Sequence, residues 1–141
     1  MTLPPLIGMV HLAPLPGSPG HACSMDRVIE QAARDAATLT AAGFDALMVE
    51  NFGDAPFFAD DVPALTVAAM SRIVSELRAV SHLPIGVNVL RNDALAAAAV
   101  AIANDASMIR VNVLSGTMFT DQGPIVGRAA ELARLLMTAP H

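Results

Sequence analysis

Ile85-Gly-Val-Asn-Val-Leu90 returns further along the chain as Ile109-Arg-Val-Asn-Val-Leu114, and this echo decides the reading of the fold. Each copy is a short apolar run rich in β-branched residues, the pattern of a buried strand. Near-copies of one strand suit a closed, pseudo-symmetric ring of equivalent units. The two copies extend to strands three and four at residues 84–90 and 107–114. Asn92 or Asp93 caps the alanine-rich helix between them. Upstream, residues 6–12 and 44–50 read as strands one and two. Between these, Ser24 is the N-cap of a helix in which Met25, Val28, Ile29, Ala32, Ala33, Ala36 and Leu39 repeat at helical spacing, and Gly43 stops it. Leu65, Ala69, Ile73, Leu77 and Val80 trace a second helical stripe. Downstream of a polar loop, Gly123-Pro124 opens a last helix carrying Ile125, Ala129, Leu132 and Leu136.

The order is βαβαβαβα, which implies a parallel sheet with right-handed crossovers. The predicted class is α/β: a (βα)4 half of a TIM-type (β/α)8 barrel, forming a single, truncated N-terminal half-barrel domain over residues 1–141. The connections are lopsided. Those leading from helix to strand are short, whereas the loops at 13–24, 51–62 and 115–123, which follow strands, are long. Functional loops of a barrel sit at the carboxyl ends of its strands. An open doubly wound sheet places its ligands there too, so the lopsidedness locates the site better than it fixes the fold.

Composition narrows the function classes. The 141 residues are 54% hydrophobic and 15% charged, where an ordinary domain is about 25% charged. The net charge of −5 comes from dispersed acidic residues, which argues against a phosphate-neutralising nucleic-acid surface. The lone Cys23 excludes an internal disulfide and fits a reducing compartment. The longest apolar run, residues 94–103, is about half of the roughly 20 residues a membrane span needs. The amino terminus lacks the basic region of a signal peptide. A soluble, cytoplasmic protein is expected.

Polar side chains gather at or near strand ends: His11, then Glu50 and Asn51, then Asn88 and Arg91, then Arg110 and Asn112. Alternation puts Asn88 with Gly86, and Asn112 with Arg110, on one face. In an apolar barrel mouth such a set binds and polarises a small oxygen-rich ligand. His11 and Glu50 are the candidate catalytic proton carriers; Asn51, Asn88, Arg91, Arg110, Asn112 and Asp121 are the candidate ligand-binding residues. The competing reading is a buried network, with Arg110 paired to Glu50 and Asn88 to Asn112. That reading is preferred for Arg110, function for His11 and Glu50, and neither for the two asparagines. Asn51-Phe-Gly-Asp54 and Thr120-Asp-Gln-Gly123 read as turns. No H-x-H, H-E-x-x-H or C-x-x-C spacing supports a metal site, and Gly17-Ser-Pro-Gly20 lacks the lysine of a phosphate loop. His21 and His82 are expected at the surface, and Cys23 is expected to be incidental.

Ile7-Gly-Met-Val-His-Leu-Ala-Pro-Leu-Pro-Gly-Ser-Pro19, Val49-Glu-Asn-Phe-Gly-Asp54, Gly86-Val-Asn-Val-Leu-Arg-Asn-Asp93 and Arg110-Val-Asn-Val-Leu-Ser-Gly116, with Thr120-Asp-Gln-Gly123, resemble the BtpA family from about Ile7 to Glu131. The resemblance implies a TIM-type barrel. It implies either a role in photosystem I biogenesis, after which the family is named, or an enzyme acting on a small phosphorylated or carboxylated sugar or nucleoside metabolite. It supplies no cofactor, which stays unknown, and no catalytic assignment. Family members continue for roughly as long again, so a truncated, non-functional fragment is a third reading, and residues 137–141 look like an unrelated tail. Half a barrel has two free strand edges, from which homodimerisation or aggregation is expected.

Overall fold

The computed structural model describes residues 3–138. Four strands, β1 (Ile7–His11), β2 (Ala46–Glu50), β3 (Ile85–Asn88) and β4 (Met108–Ile109), pair in parallel in the order β1-β2-β3-β4. They alternate with helices α1 (Met25–Ala41), α2 (Ala64–Val80) and α3 (Ala94–Ala103). This is the α/β arrangement expected of half a TIM-type barrel, and the sheet does not close on itself. Of the expected tail, Met137 and Thr138 follow the final helix, and residues 139–141 lie outside the described residues.

Strand alternation sorts the side chains into two layers. Val10, Leu47, Val49, Ile85 and Val87 turn to one face, where they are buried with Val28, Ala32 and Ala36 of α1, Ile73 and Leu77 of α2, and Ala97 and Val100 of α3. All three helices therefore cover the same face. Each buried residue of Val, Leu or Ile size stabilises by about 1.5–3 kcal/mol, and this layer holds the half-barrel together. The opposite face carries the register rows Met9↔Met48↔Gly86↔Met108 and, one step nearer the carboxyl ends, His11↔Glu50↔Asn88. Gly86 leaves room for its methionine neighbours in the first row: a Cβ there would lie 2.5 Å from Met48 Cε and 2.7 Å from Met108 Cγ, so both side chains would have to shift.

The helix boundaries have local causes. Ser24 Oγ accepts a hydrogen bond from the Arg27 amide at the start of α1, and Gly43, at φ 85°, turns the chain after it. Asp93, not Asn92, caps α3 by accepting from the Ala96 amide at 2.8 Å. The α2 stripe is rotated from the expected one. Thr66, Ala69, Met70, Ile73, Val74 and Leu77 form its buried face, while Leu65 and Val80, at its ends, are exposed.

Two expectations fail in the last third of the chain. Strand four, expected over residues 107–114, pairs only at Met108–Ile109. The Arg110 amide still reaches Val87 O at 3.0 Å, but beyond it the backbone is held by a side chain. Asn92 Oδ1 accepts from the Val113 amide at 2.7 Å, and Asn92 Nδ2 donates to Val113 O at 3.0 Å. One side-chain amide thus does what a neighbouring strand would have done. The helix expected to open at Gly123-Pro124 begins later, as α4 (Ala129–Leu136). Residues before it form an antiparallel hairpin of β5 (Thr117–Thr120) and β6 (Gly123–Val126). Gly123 takes φ 93°, and the Thr120 hydroxyl donates to Gly123 O at 3.1 Å, closing a two-residue turn that helical periodicity does not register. Leu132 of α4 packs on Ala94 and Ala98 of α3.

Asn92→Ala removes both bonds to Val113 and leaves that segment without its tether. Urea denaturation should show a loss of about 1–3 kcal/mol, with Asn92→Asp losing at least as much at neutral pH, because it buries a carboxylate oxygen against Val113 O.

Candidate functional site

The carboxyl ends of the strands bring His11, Glu50, Asn88 and Arg110 into one row, because His11 pairs with Glu50, Glu50 with Asn88, and Arg110 follows Ile109, the partner of Val87. Glu50 is 4% exposed and Asn88 1%, while His11 and Arg110 are exposed. Arg110 Nη1 donates to Glu50 Oε1 at 2.9 Å. His11 Nε2 lies 3.6 Å from the other carboxylate oxygen, Oε2. Asn88 Nδ2 donates to Asn112 Oδ1 at 3.2 Å. Both pairs of the network reading are therefore present. They also leave Glu50 unevenly satisfied, with Oε1 in a charge-assisted bond and Oε2 facing an imidazole beyond hydrogen-bonding distance.

The other candidates are placed differently. Asn51 is buried and spent on the backbone: its Oδ1 accepts from the Leu90 amide at 2.7 Å, and its Nδ2 donates to Asp54 Oδ2 at 3.1 Å and to Leu90 O at 3.4 Å. Arg91 ties its amide to Phe58 O at 3.0 Å, and among the described residues its side chain makes no ion pair. Asp121 is exposed at the tip of the β5–β6 hairpin, with no bond to the row. His82 is exposed, His21 is half-buried with its Nδ1 2.8 Å from Pro14 O, and Cys23 is exposed and free.

Sequence reasoning missed Phe52. Its ring stacks on His11 with centroids 4.3 Å apart and planes 10° from parallel, so the imidazole is held between Phe52 and Glu50. Phe52 sits in the short 3-10 turn Phe52–Asp54 directly after β2. Its only sequence signal was an aromatic residue inside a turn, where packing alone does not call for one.

Two further features adjoin the row. A cavity of about 370 Å³ lies between the β1–α1 and β2–α2 loops, bordered by Asn51, Asp54, Phe57, Leu65 and Leu90. None of His11, Glu50, Asn88 and Arg110 lines it. Carboxylate oxygens of Asp60 and Asp61, on the β2–α2 loop, and of Asp93, the cap of α3, approach within 4.8 Å of one another. Arg128, just before α4, answers that charge, with Nη1 2.8 Å from Asp61 Oδ1 and 3.5 Å from Asp60 Oδ2, while its other terminal nitrogen binds Glu131. The cluster is thus a clasp between the β2–α2 loop and α4. Among the described residues, no helix is long and apolar enough to cross a membrane.

The clasp is pH-sensitive. Burial pushes the Asp60 carboxyl above its ordinary 3.8, against the opposing pull of the Asp61 amide and Arg128. The Arg128 hydrogen bond draws Glu131 below its ordinary 4.5. A raised folded-state value means that the neutral form of Asp60 suits the fold better, and that stability is lost as pH rises through the folded value. The lowered Glu131 works the other way: its contribution is present above 4.5 and is lost on acidification. Asp60→Asn should therefore raise the urea midpoint at about pH 7, and the gain should vanish at about pH 3, where the wild-type carboxyl is protonated in both states. A variant less stable at neutral pH would show the Arg128 contact outweighing burial.

A protein of Thermococcus kodakarensis is 56% identical over 138 residues, which cover 96% of this chain and 52% of the relative. The photosystem I biogenesis protein BtpA of Synechocystis is 50% identical over 92% of this chain and 45% of its own length. The Escherichia coli putative sgc region protein SgcQ is 37% identical over 84% of the chain and 44% of its own length. The chain spans about half the length of the curated relatives it matches. The BtpA family model matches residues 2–140, and the chain belongs to the BtpA family.

Proposed function

We propose that this chain is the N-terminal half of a metabolite-transforming barrel whose proton carrier is Glu50. The observation that carries the reading is a buried carboxylate at the carboxyl end of a parallel sheet, bonded through one oxygen to Arg110 and facing His11 with the other. A carboxylate so placed exchanges a proton with a bound ligand or with the imidazole. Arg110 is half exposed and uses one terminal nitrogen on Glu50, so its remaining donors meet an anionic group. This favours a phosphorylated or carboxylated small metabolite, of sugar or nucleoside type. Relatives of similar identity in an archaeon and a cyanobacterium favour a reading that holds in both hosts.

A second reading, assembly of photosystem I through protein contacts, is favoured by the name of the Synechocystis relative and by the β5–β6 hairpin. That hairpin exposes Met118, Val126 and Phe119, the last at 85%. Edge β1, edge β4 and this hairpin also favour self-association of the chain. Light scattering after size exclusion checks it: a stable monomer at micromolar concentration, unchanged by Phe119→Ser, would count against any contact there.

The proton-carrier reading is tested in a full-length protein containing this half. A thermal-shift screen of sugar phosphates and sugar acids identifies the ligand, and turnover is then followed with Glu50→Gln, which keeps an acceptor for Arg110 but neither takes up nor releases a proton in the working pH range. Turnover should fall by about 10²–10⁴-fold, with the melting temperature within about 2 °C of wild type. Retained turnover with a large drop in melting temperature would assign Glu50 to a structural network instead.

A further inference from the structure

The cavity between the β1–α1 and β2–α2 loops is separate from the proposed proton carrier, and its walls and charge specify a ligand of their own. Phe57, Phe58 and Leu65 give it apolar sides, and Phe58 and Leu65 stay exposed at its border instead of joining the core. Its volume of about 370 Å³ falls in the lower part of the range of small-molecule sites. The polar groups are few. Asn51 is used up on Leu90 and Asp54. Asp54 Oδ1 accepts from the Leu15 amide at 2.7 Å and Oδ2 from Asn51 at 3.1 Å, and each oxygen keeps a further accepting position. Ser18, also on the lining, has a solvent-shielded hydroxyl with no hydrogen-bond partner among the described residues.

Charge selects among ligands. No lysine or arginine lines the cavity, Asp54 does, and the next turn of the same loop carries Asp60 and Asp61 beside Asp93. The amino terminus of α2, which no side chain caps, is the single feature there that favours an anion, and a formal carboxylate opposes it. We propose that the cavity binds a flat ring bearing N–H donors, neutral or cationic, sandwiched by the phenylalanine and proline walls and donating to Asp54. This inference stands whether or not Glu50 carries a proton, since no residue of that row lines the cavity.

The test uses the purified chain and two ring probes of equal size and opposite charge, benzamidine and benzoate, with adenine as a neutral donor-bearing ring and inorganic phosphate as a bare anion. Calorimetry should give saturable one-to-one binding of benzamidine and adenine, with benzoate weaker by about tenfold or more. Amide NMR shifts should concentrate at Ser18, Asp54 and Leu65 and spare Met9 and Met108. Asp54→Asn should weaken benzamidine by about tenfold or more, whereas Asp26→Asn, which removes an exposed carboxylate elsewhere, should not. Because Asp54 also holds the Leu15 amide, Phe57→Ala serves as the second variant: it leaves those bonds intact and should weaken both rings. Benzoate or phosphate binding as tightly as benzamidine would make this an anion site at the α2 terminus and overturn the proposal. So would shifts centred on His11 and Glu50, or no saturation by about 10 mM.

Discussion

Parallel register is the constraint on which the rest of this structure depends. When strands pair side by side in chain order, each step along one strand has a fixed neighbour on the next, and side chains of alternate steps form rows on one face. Ile7 opposite Ala46 sets Met9 against Met48 and His11 against Glu50, and Leu47 opposite Ile85 then sets Glu50 against Asn88. A one-residue slip of β2 would turn Glu50 into the helix-covered layer, between Val10 and Val87, where a carboxylate finds no partner. The hydrophobic face and the polar row therefore enforce the same register from opposite sides of the sheet.

The ladder is extended beyond the strands by side chains that imitate peptides. An asparagine amide carries one carbonyl acceptor and N–H donors in the same planar arrangement as the backbone. Asn51 offers them to Leu90, and Asn92 offers them to Val113. Each follows the carboxyl end of its own strand and grips the segment running out of the next one. The site's strands can thus stop early, at Asn88 and Ile109, while the loops that follow stay tied to the sheet. The long loops at this end are consequently held by few but directional bonds, and the row of His11, Glu50 and Arg110 sits on a fixed floor.

Most of this frame was legible in the sequence, because buried strands and amphipathic helices write their periods directly into it. The echo of Ile85–Leu90 in Ile109–Leu114 identified equivalent strands, and the pairings of Arg110 with Glu50 and of Asn88 with Asn112 were readable once alternation was applied. The echo also misled. Val111, Asn112 and Val113 repeat a strand's letters, yet at that position Asn92, not a strand, supplies the hydrogen bonds. Gly123-Pro124 looked like a helix start because both residues are common there, while the decisive signal was Thr120 bonding across a tight turn, a contact with no periodicity. Phe52 and the Asp60–Asp61–Arg128 clasp arise from loops meeting in space, and composition along the chain carries no trace of such meetings.

The buried polar groups can be ranked by how completely the fold answers them. Asp93 gives one oxygen to the Ala96 amide and the other to the Val62 amide, and Asn51 and Asn92 bond backbone on both sides; removing any of them breaks architecture. Glu50 differs. It is as buried as they are, but one of its oxygens is bonded to a half-exposed arginine and the other faces a half-exposed histidine. Burying a carboxylate costs several kcal/mol, and a partly solvated ion pair returns only part of that. Met48, one row below in the same strand, fills the same kind of position with apolar volume at no such cost. A carboxylate whose burial the fold does not fully answer is what the proposed proton transfer requires. Under that proposal its half-exposed partners, His11 and Arg110, are the side chains that a ligand would reach first.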